Sequence, residues 1–224
     1  MGHSLVFDLD GTLIDSAPDV AGALNRSLEA TGRSTLPLET VRDLVGRGAR
    51  ALVADAVDQT GGGNEDDVDI LCQRFLEAYR DLPVEQTTVY PGVLHVLEEL
   101  HRKGALMGIC TNKPEITTWP VLKALDLERF FKVVVCGDTL PVRKPDPRHL
   151  LHAIENLGGD PSNAVMVGDS EHDVGVARNA GVRVIAVSYG YCGSAPESLG
   201  ADILIERFEE LLEILLLNIE GVGP

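Results

Sequence analysis

Apolar residues gather in six short runs along the chain, at 5–9, 106–111, 133–136, 164–168, 182–187 and, more faintly, 202–205. Each run is continuous rather than alternating. Strands of a parallel sheet covered on both faces have this pattern, because neither face meets water. Helix-spaced apolar positions separate the later runs. One segment at 93–103 stops at Gly104 and another at 173–180 stops at Gly181. Strand alternating with helix predicts an α/β chain built on a Rossmann-like, doubly wound parallel sheet.

One interval breaks the rhythm. From Asp8 to Leu106 the chain is far longer than the dozen or so residues a crossover needs. It reads as four helices. The first starts at Ser16, as N-cap with Pro18 in the first turn, and runs to Gly32; the others lie at 38–44, 48–60 and 66–79, with "TGGGN" as a break. No strand pattern interrupts them. The spacing predicts a helical insert at 17–85 within a core made of 1–16 and 86–224, leaving near Asp15 and returning near Pro91. Further on, Pro120 follows Trp119 and is expected in the first turn of a helix.

Charge narrows the partners. The 224 residues carry 35 acidic and 19 basic side chains, a formal net charge of −16 and a pI near 4.6. Such a surface repels phosphate backbones, which excludes nucleic acid and anionic membranes. An anionic substrate then needs positive charge supplied locally. Cys72, Cys110, Cys136 and Cys192 are widely spaced with no C-x-x-C pair. They read as reduced thiols of a cytoplasmic protein, not as a zinc site or redox pair. The N-terminal run lacks a basic flank and is cut by Asp8, unlike a signal peptide. The apolar tail at 211–219 is too short to span a bilayer.

Polar residues follow the strand-like runs in a consistent way. Asp8 and Asp10 follow the first, Thr111, Asn112 and Lys113 the second, and Asp169, Ser170 and Asp173 the fourth, with Lys144 in the loop after the third. Ligands of open parallel sheets bind outside the carboxyl ends of the strands, so these residues are expected to converge. Four carboxylates in one crevice repel unless a cation neutralises them, and oxygen ligands without a His or Cys cluster favour Mg2+. A Mg2+ beside Lys144 and the Thr111 hydroxyl suits a phosphate and resolves the charge problem locally. An aspartate can attack phosphorus to form an aspartyl-phosphate. A second carboxylate can protonate the leaving alkoxide and later deprotonate water. Asp8 and Asp10 can converge where the strand runs out into a loop, a turn that Gly11 eases. Lys113 reads as a solvated neighbour whose charge could help hold an anion.

The segments "DLDGTLIDS", "CTNK", "RKPDP" and "GDSEHDV", in that order, resemble the four motifs of the haloacid-dehalogenase-like hydrolases over nearly the whole chain. The resemblance implies Asp8 as nucleophile, Asp10 as acid and base, and Thr111 and Lys144 as holders of the phosphoryl group, Lys144 also steadying Asp8. It implies Mg2+ held by Asp8, the backbone carbonyl of Asp10 and Asp169, with Asp173 nearby. It also makes the helical insert a cap. "LVGRGARALV", "GDTLPVRKPDPRHLL", "NAVMVGDSEHDVGVARNAGV" and "VSYGY" are similar to the phosphoglycolate phosphatase group within that family. The expected substrate is therefore a small phosphorylated metabolite, and the expected assembly a monomer or homodimer.

Each signal has a plainer alternative. Asp173 could simply cap the helix that follows it. Asn112 and Ser170 could satisfy turn backbone instead of phosphate. "GRGAR" fits a dinucleotide fingerprint, but a helix-like segment precedes it where a strand is required. Arg47 and the amides at Gly48 could instead hold a substrate carboxylate, or form a plain turn between helices. The first alternative is another activity on the same core: a sugar-phosphate phosphatase, a pyrophosphatase or a phosphomutase. A non-catalytic regulatory or binding protein on the same fold is the second, disfavoured because every catalytic position is filled.

Overall fold

The computed structural model describes residues 4–82, 84–191 and 195–220, with side chains to 215; Cys192 lies outside them. In chain order the elements are β1 (Ser4–Phe7), β2 (Ile14–Asp15), α1 (Ala17–Ala30), α2 (Leu38–Leu44), α3 (Ala49–Gln59) and α4 (Glu65–Asp81). There follow β3 (Thr88–Val89), α5 (Val93–Arg102), β4 (Leu106–Cys110), α6 (Glu115–Ala124), β5 (Val133–Val135) and α7 (Pro147–Leu157). The chain closes with β6 (Ala164–Gly168), α8 (Glu171–Ala180), β7 (Arg183–Val187), β8 (Ile203–Ile205) and α9 (Glu210–Glu220).

All six apolar runs are strands of one parallel sheet, ordered β5-β4-β1-β6-β7-β8. Their continuous apolar character has the expected cause. Leu5 and Phe7 of β1 face one core with Leu97 and Phe208, whereas Val6 faces the other with Leu150 and Val176. Helices cover both faces, so alternation would have left polar groups buried. Several runs extend past the hydrogen-bonded ladder: Leu9, Thr111 and Cys136 are buried but already in the loops.

Register places the chemistry. Phe7 is level with Ile109 of β4 and with Val167 of β6. Asp8 therefore leaves the sheet one row before Thr111 and Asp169, on the same edge, and its amide still donates to the Val167 carbonyl at 2.9 Å.

Helices α1 to α4 pack on one another and α4 also meets α6. Val68, Leu71, Phe75 and Tyr79 form the buried row of α4, at helical spacing. Its start is fixed by a capping box in which Asn64 Oδ1 accepts from the Asp67 amide (3.0 Å) and Asp67 Oδ2 from the Asn64 amide (2.9 Å). Where the chain enters and leaves this helical stretch, β2 and β3 form a short antiparallel ribbon, Ile14 opposite Val89 and Asp15 opposite Thr88. Asp19 of α1, 3% exposed, accepts from the amides of Glu85, Gln86 and Thr87.

Two local expectations change. Ser16 sits at the N-cap of α1, but its hydroxyl donates to Asp10 Oδ1 at 2.6 Å and caps nothing. The Tyr191 hydroxyl takes over, accepting from the amides of Ser16 (2.7 Å) and Ala17 (3.0 Å). Pro120 lies in the interior of α6, because that helix begins at Glu115 with Pro114 as its N-cap. Among the described residues, no helix is long and apolar enough to cross a membrane. Cys72, Cys110 and Cys136 are free thiols.

Candidate active site

Three buried carboxylates meet at the ends of β1 and β6. Asp8, Asp169 and Asp173 each present an oxygen within 4.8 Å of the others. Lys144 reaches between two of them, its Nζ 2.8 Å from Asp8 Oδ1 and 2.7 Å from Asp173 Oδ1. The other oxygen of Asp173 accepts from the amide and hydroxyl of Ser170, at 3.1 and 2.6 Å. Asp173 thus both closes the first turn of α8 and fixes Lys144. Asp169 accepts from the Thr12 hydroxyl (2.9 Å) and the Tyr191 amide (2.7 Å). Gly11 has φ +85°, and a Cβ there would collide with the Asp169 carboxylate. Only glycine lets the first loop pass so close to the second.

The side chain of Asp10 stands apart from this group. Lys113 Nζ holds both its oxygens, at 3.0 and 3.1 Å, and Ser16 donates to one of them. Lys113 also donates to the Tyr79 hydroxyl at 2.9 Å and lies 4.4 Å from the centre of that ring. The expectation of a solvated Lys113 is therefore wrong: it is 7% exposed. Tyr79 arrives from α4 and sets its buried ring and hydroxyl against the ammonium.

A pocket opens beside Asp8 and Asp10. Its floor includes Thr111, Asn112 and Lys113, and its roof Val20, Val45, Gly46, Gly48, Leu52, Phe75 and Tyr79 from the helical stretch. Asn112 is largely occupied with backbone, donating to the carbonyls of Gly46 (2.9 Å) and Lys144 (3.2 Å) and accepting from the Lys144 amide (3.0 Å). It ties the Lys144 loop and the α2–α3 turn to β4. Gly48 starts α3 at φ +91°, and a Cβ there would press on Arg143 and the Asn112 carbonyl. Arg47 does not line the pocket; it pairs with Asp55 at 2.8 Å and is about half exposed.

The electrostatics follow from burial. Desolvation, with repulsion from Asp173, pushes the Asp8 carboxyl up to about 7 against the pull of Lys144. Burial and the charges of Asp173 and Asp8 raise Asp169 as well. Burial alone would lower both lysines, but Asp173 and Asp8 hold Lys144 up, and Asp10 and Tyr79 hold Lys113 up. Four carboxylates face two ammonium groups, so two negative charges go unmatched. Asp8 Oδ1, although beside Lys144, accepts no well-directed hydrogen bond. An all-oxygen, electron-rich cluster with an open acceptor fits a hard divalent cation.

The same molecule has recognisable relatives. A family model described as haloacid dehalogenase-like hydrolase matches residues 5–187. The chain belongs to the haloacid dehalogenase-like hydrolases. This hydrolase is 43% identical over 208 residues to the phosphoglycolate phosphatase of Caulobacter vibrioides, covering 92% of this chain and 88% of that one. It is 40% identical over 220 residues to the phosphoglycolate phosphatase of Agrobacterium fabrum, covering 97% and 94%. Its fold matches the crystal structure of a predicted phosphoglycolate phosphatase from Haemophilus somnus 129pt with a TM-score of 0.90, at 29% identity over 95% and 97% of the two chains. With likeness running through almost the full length, this hydrolase is an enzyme acting on phosphoric monoesters.

Several residues of the site were invisible as such in the sequence. Lys113 reads as solvated, Ser16 reads only as an N-cap, and Tyr79, Tyr191 and Thr12 carry no assignment. Tyr191 lies within "VSYGY", and the resemblance of that segment is the one sequence signal for it.

Proposed function

We propose that this hydrolase cleaves 2-phosphoglycolate to glycolate and phosphate, with Mg2+ held by Asp8, Asp169 and the Asp10 backbone carbonyl. The observation that carries the chemistry is Asp8, buried at the end of the central strand with Lys144 at 2.8 Å, one row from Thr111. The relatives' names carry the substrate.

The Asp8 carboxylate attacks phosphorus and forms an aspartyl-phosphate as the ester P–O bond breaks. Asp10 gives its proton to the leaving alkoxide. A water then attacks the phosphorus and yields a proton back to Asp10, and the bond to Asp8 breaks, releasing phosphate. Lys144 and the Thr111 hydroxyl hold phosphoryl oxygens during both transfers, and Asp173 keeps Lys144 in place. When bound, Mg2+ supplies the positive charge that the cluster lacks and draws charge from the phosphoryl oxygens. The helical insert, 17–85, serves as a cap over the pocket, and its apolar roof keeps bulk water from the aspartyl-phosphate.

A phosphate-release screen tests this reading. The expected result is the highest kcat/KM for 2-phosphoglycolate, abolished by EDTA and restored by Mg2+. Better turnover of sugar phosphates or pyrophosphate would overturn the substrate and leave the phosphatase chemistry standing.

A further inference from the structure

Two lysines are buried in this site, and they serve different ends of it. Lys144 is engaged by Asp8 and Asp173, where the phosphoryl group is transferred. Lys113 is the only cationic side chain among the residues that line the pocket. It is bound to Asp10, the group that serves the ester oxygen. In phosphoglycolate the carboxylate begins two bonds beyond that oxygen. A cation 3.0 Å from the Asp10 carboxylate is therefore on the leaving-group side.

A second donor stands beside it. The Tyr79 hydroxyl accepts from Lys113, and among the described residues its own proton has no acceptor. Tyr79 lines the pocket with its ring otherwise buried, so this proton is directed by a fixed side chain. An ammonium that turns one of its two Asp10 contacts to the ligand, together with an adjacent hydroxyl donor, forms a receptor for a carboxylate. Two other cations lie near the roof without lining the pocket: Arg47 is turned to Asp55, and Arg143 lies against Gly48.

We propose that Lys113 and the Tyr79 hydroxyl receive the carboxylate of the substrate and set the preference for an anionic two-carbon leaving group. This rests on the phosphoglycolate reading above. The preference arises by difference: a neutral tail leaves the ammonium with Asp10 as its only anion and forfeits the Tyr79 bond.

The test compares phosphoglycolate with 2-hydroxyethyl phosphate, which has nearly the same length and a neutral tail. kcat and KM are measured for the wild type, Lys113→Gln, Lys113→Arg and Tyr79→Phe. A loss shared by both substrates reports the Asp10 contact. A change in the ratio of their kcat/KM values reports carboxylate recognition. Charge-assisted hydrogen bonds of this kind set the scale, so Lys113→Gln should cut the ratio by about tenfold or more and Tyr79→Phe by about fivefold, mainly through KM for phosphoglycolate. Lys113→Arg should restore part of it. A wild-type preference that survives Lys113→Gln overturns the receptor and leaves the substrate reading intact. A wild type that prefers neither compound overturns the receptor; if sugar phosphates also outrank both, the substrate reading falls with it. If Lys113→Gln fails to fold, Tyr79→Phe decides, because it keeps the ring and the Lys113–Asp10 pair. An unchanged ratio in that variant overturns the proposal.

Discussion

Replacing Asp19 by alanine should loosen the point where the helical stretch rejoins the sheet. Asp19 Oδ2 accepts from the amides of Glu85 (3.0 Å) and Thr87 (2.8 Å) and from the Thr87 hydroxyl (2.6 Å), and Gln86 donates to both oxygens at 3.0 Å. Each hydrogen bond to a charged group is worth about 1.5–3 kcal/mol, but they share one carboxylate and do not add. Glu85 and Gln86 are exposed, so water can take over their amides, whereas Thr87 is buried and its amide and hydroxyl would be stranded. The net loss should be about 3 kcal/mol, near one or two stranded donors plus the lost helix-start charge. At about 2–4 °C per kcal/mol for a chain of this size, the melting point should fall by about 6–12 °C. Asp19→Asn keeps an acceptor and should lose less. The hydrogen bonds hold the Asp19 carboxyl below its ordinary range even though burial pushes the other way. Its stabilisation is therefore full above the ordinary carboxylate value and is lost as pH falls through the lower, folded value. The gap between wild type and Asp19→Ala in urea unfolding should accordingly narrow as pH falls below about 4. A melting point within about 2 °C of wild type at pH 7 would refute the reasoning.

Asp8→Asn should lower phosphate release by at least about a thousandfold, while the metal-free melting point holds or rises because one of several crowded carboxylates loses its charge. Turnover that survives this change would remove Asp8 as nucleophile. Mg2+ should raise the wild-type melting point steadily with concentration and leave the Asp8→Asn, Asp169→Asn double variant unmoved; equal shifts in both, read by differential scanning fluorimetry, would contradict the assigned ligands. His149 is fully buried against the Cys136 carbonyl (2.9 Å) and the Cys110 thiol (3.4 Å), and burial pushes its imidazole down to about 4. Protonation then favours the unfolded chain. Stability should be full above about pH 6.5 and drop by about 3 kcal/mol as pH falls from there toward 4. His149→Gln should flatten that part of the urea-unfolding profile, and an unchanged slope would rule the residue out.

How much of this could be read from sequence depends on the distance over which each feature is decided. The strands could be read because a doubly covered sheet forces unbroken apolar runs, and their ends were legible because the parallel register is uniform. Asp8, Thr111 and Asp169 needed only that rule to be placed together. The β2–β3 ribbon could not be read, since two residues per strand carry no periodicity. Ser16 has the composition of an N-cap, yet Asp10 captures its hydroxyl and Tyr191 caps the helix from 175 positions away. Lys113 reads as solvated for the same reason, since its partners Asp10 and Tyr79 are distant in the chain. Tyr79 is legible as the last residue in the apolar row of α4, but nothing in that row says what its hydroxyl meets. The burial of Lys113 is decided by how α4 lies across the end of β4, which is a property of the packed chain.

The placement of the two lysines also answers how a protein of charge −16 handles an anion. A cation on the surface would be surrounded by the excess of acidic groups and screened by salt within about 10 Å. Both site lysines are instead almost fully withdrawn from water, and each is tied to a carboxylate. In that environment a hydrogen-bonded charge acts at close range and with fixed direction, where it discriminates between ligands by their shape and charge. The cost is that each lysine brings its own counter-charge, which is why the cluster around Asp8 remains electron-rich. On the proposed reading a bound divalent cation adds to Lys144 in attracting the phosphoryl group, while recognition of the rest of the substrate is left to Lys113. The acidic surface and the crowded carboxylates are in this sense one arrangement: the positive charge proposed to meet the substrate acts only over the few ångströms of the site.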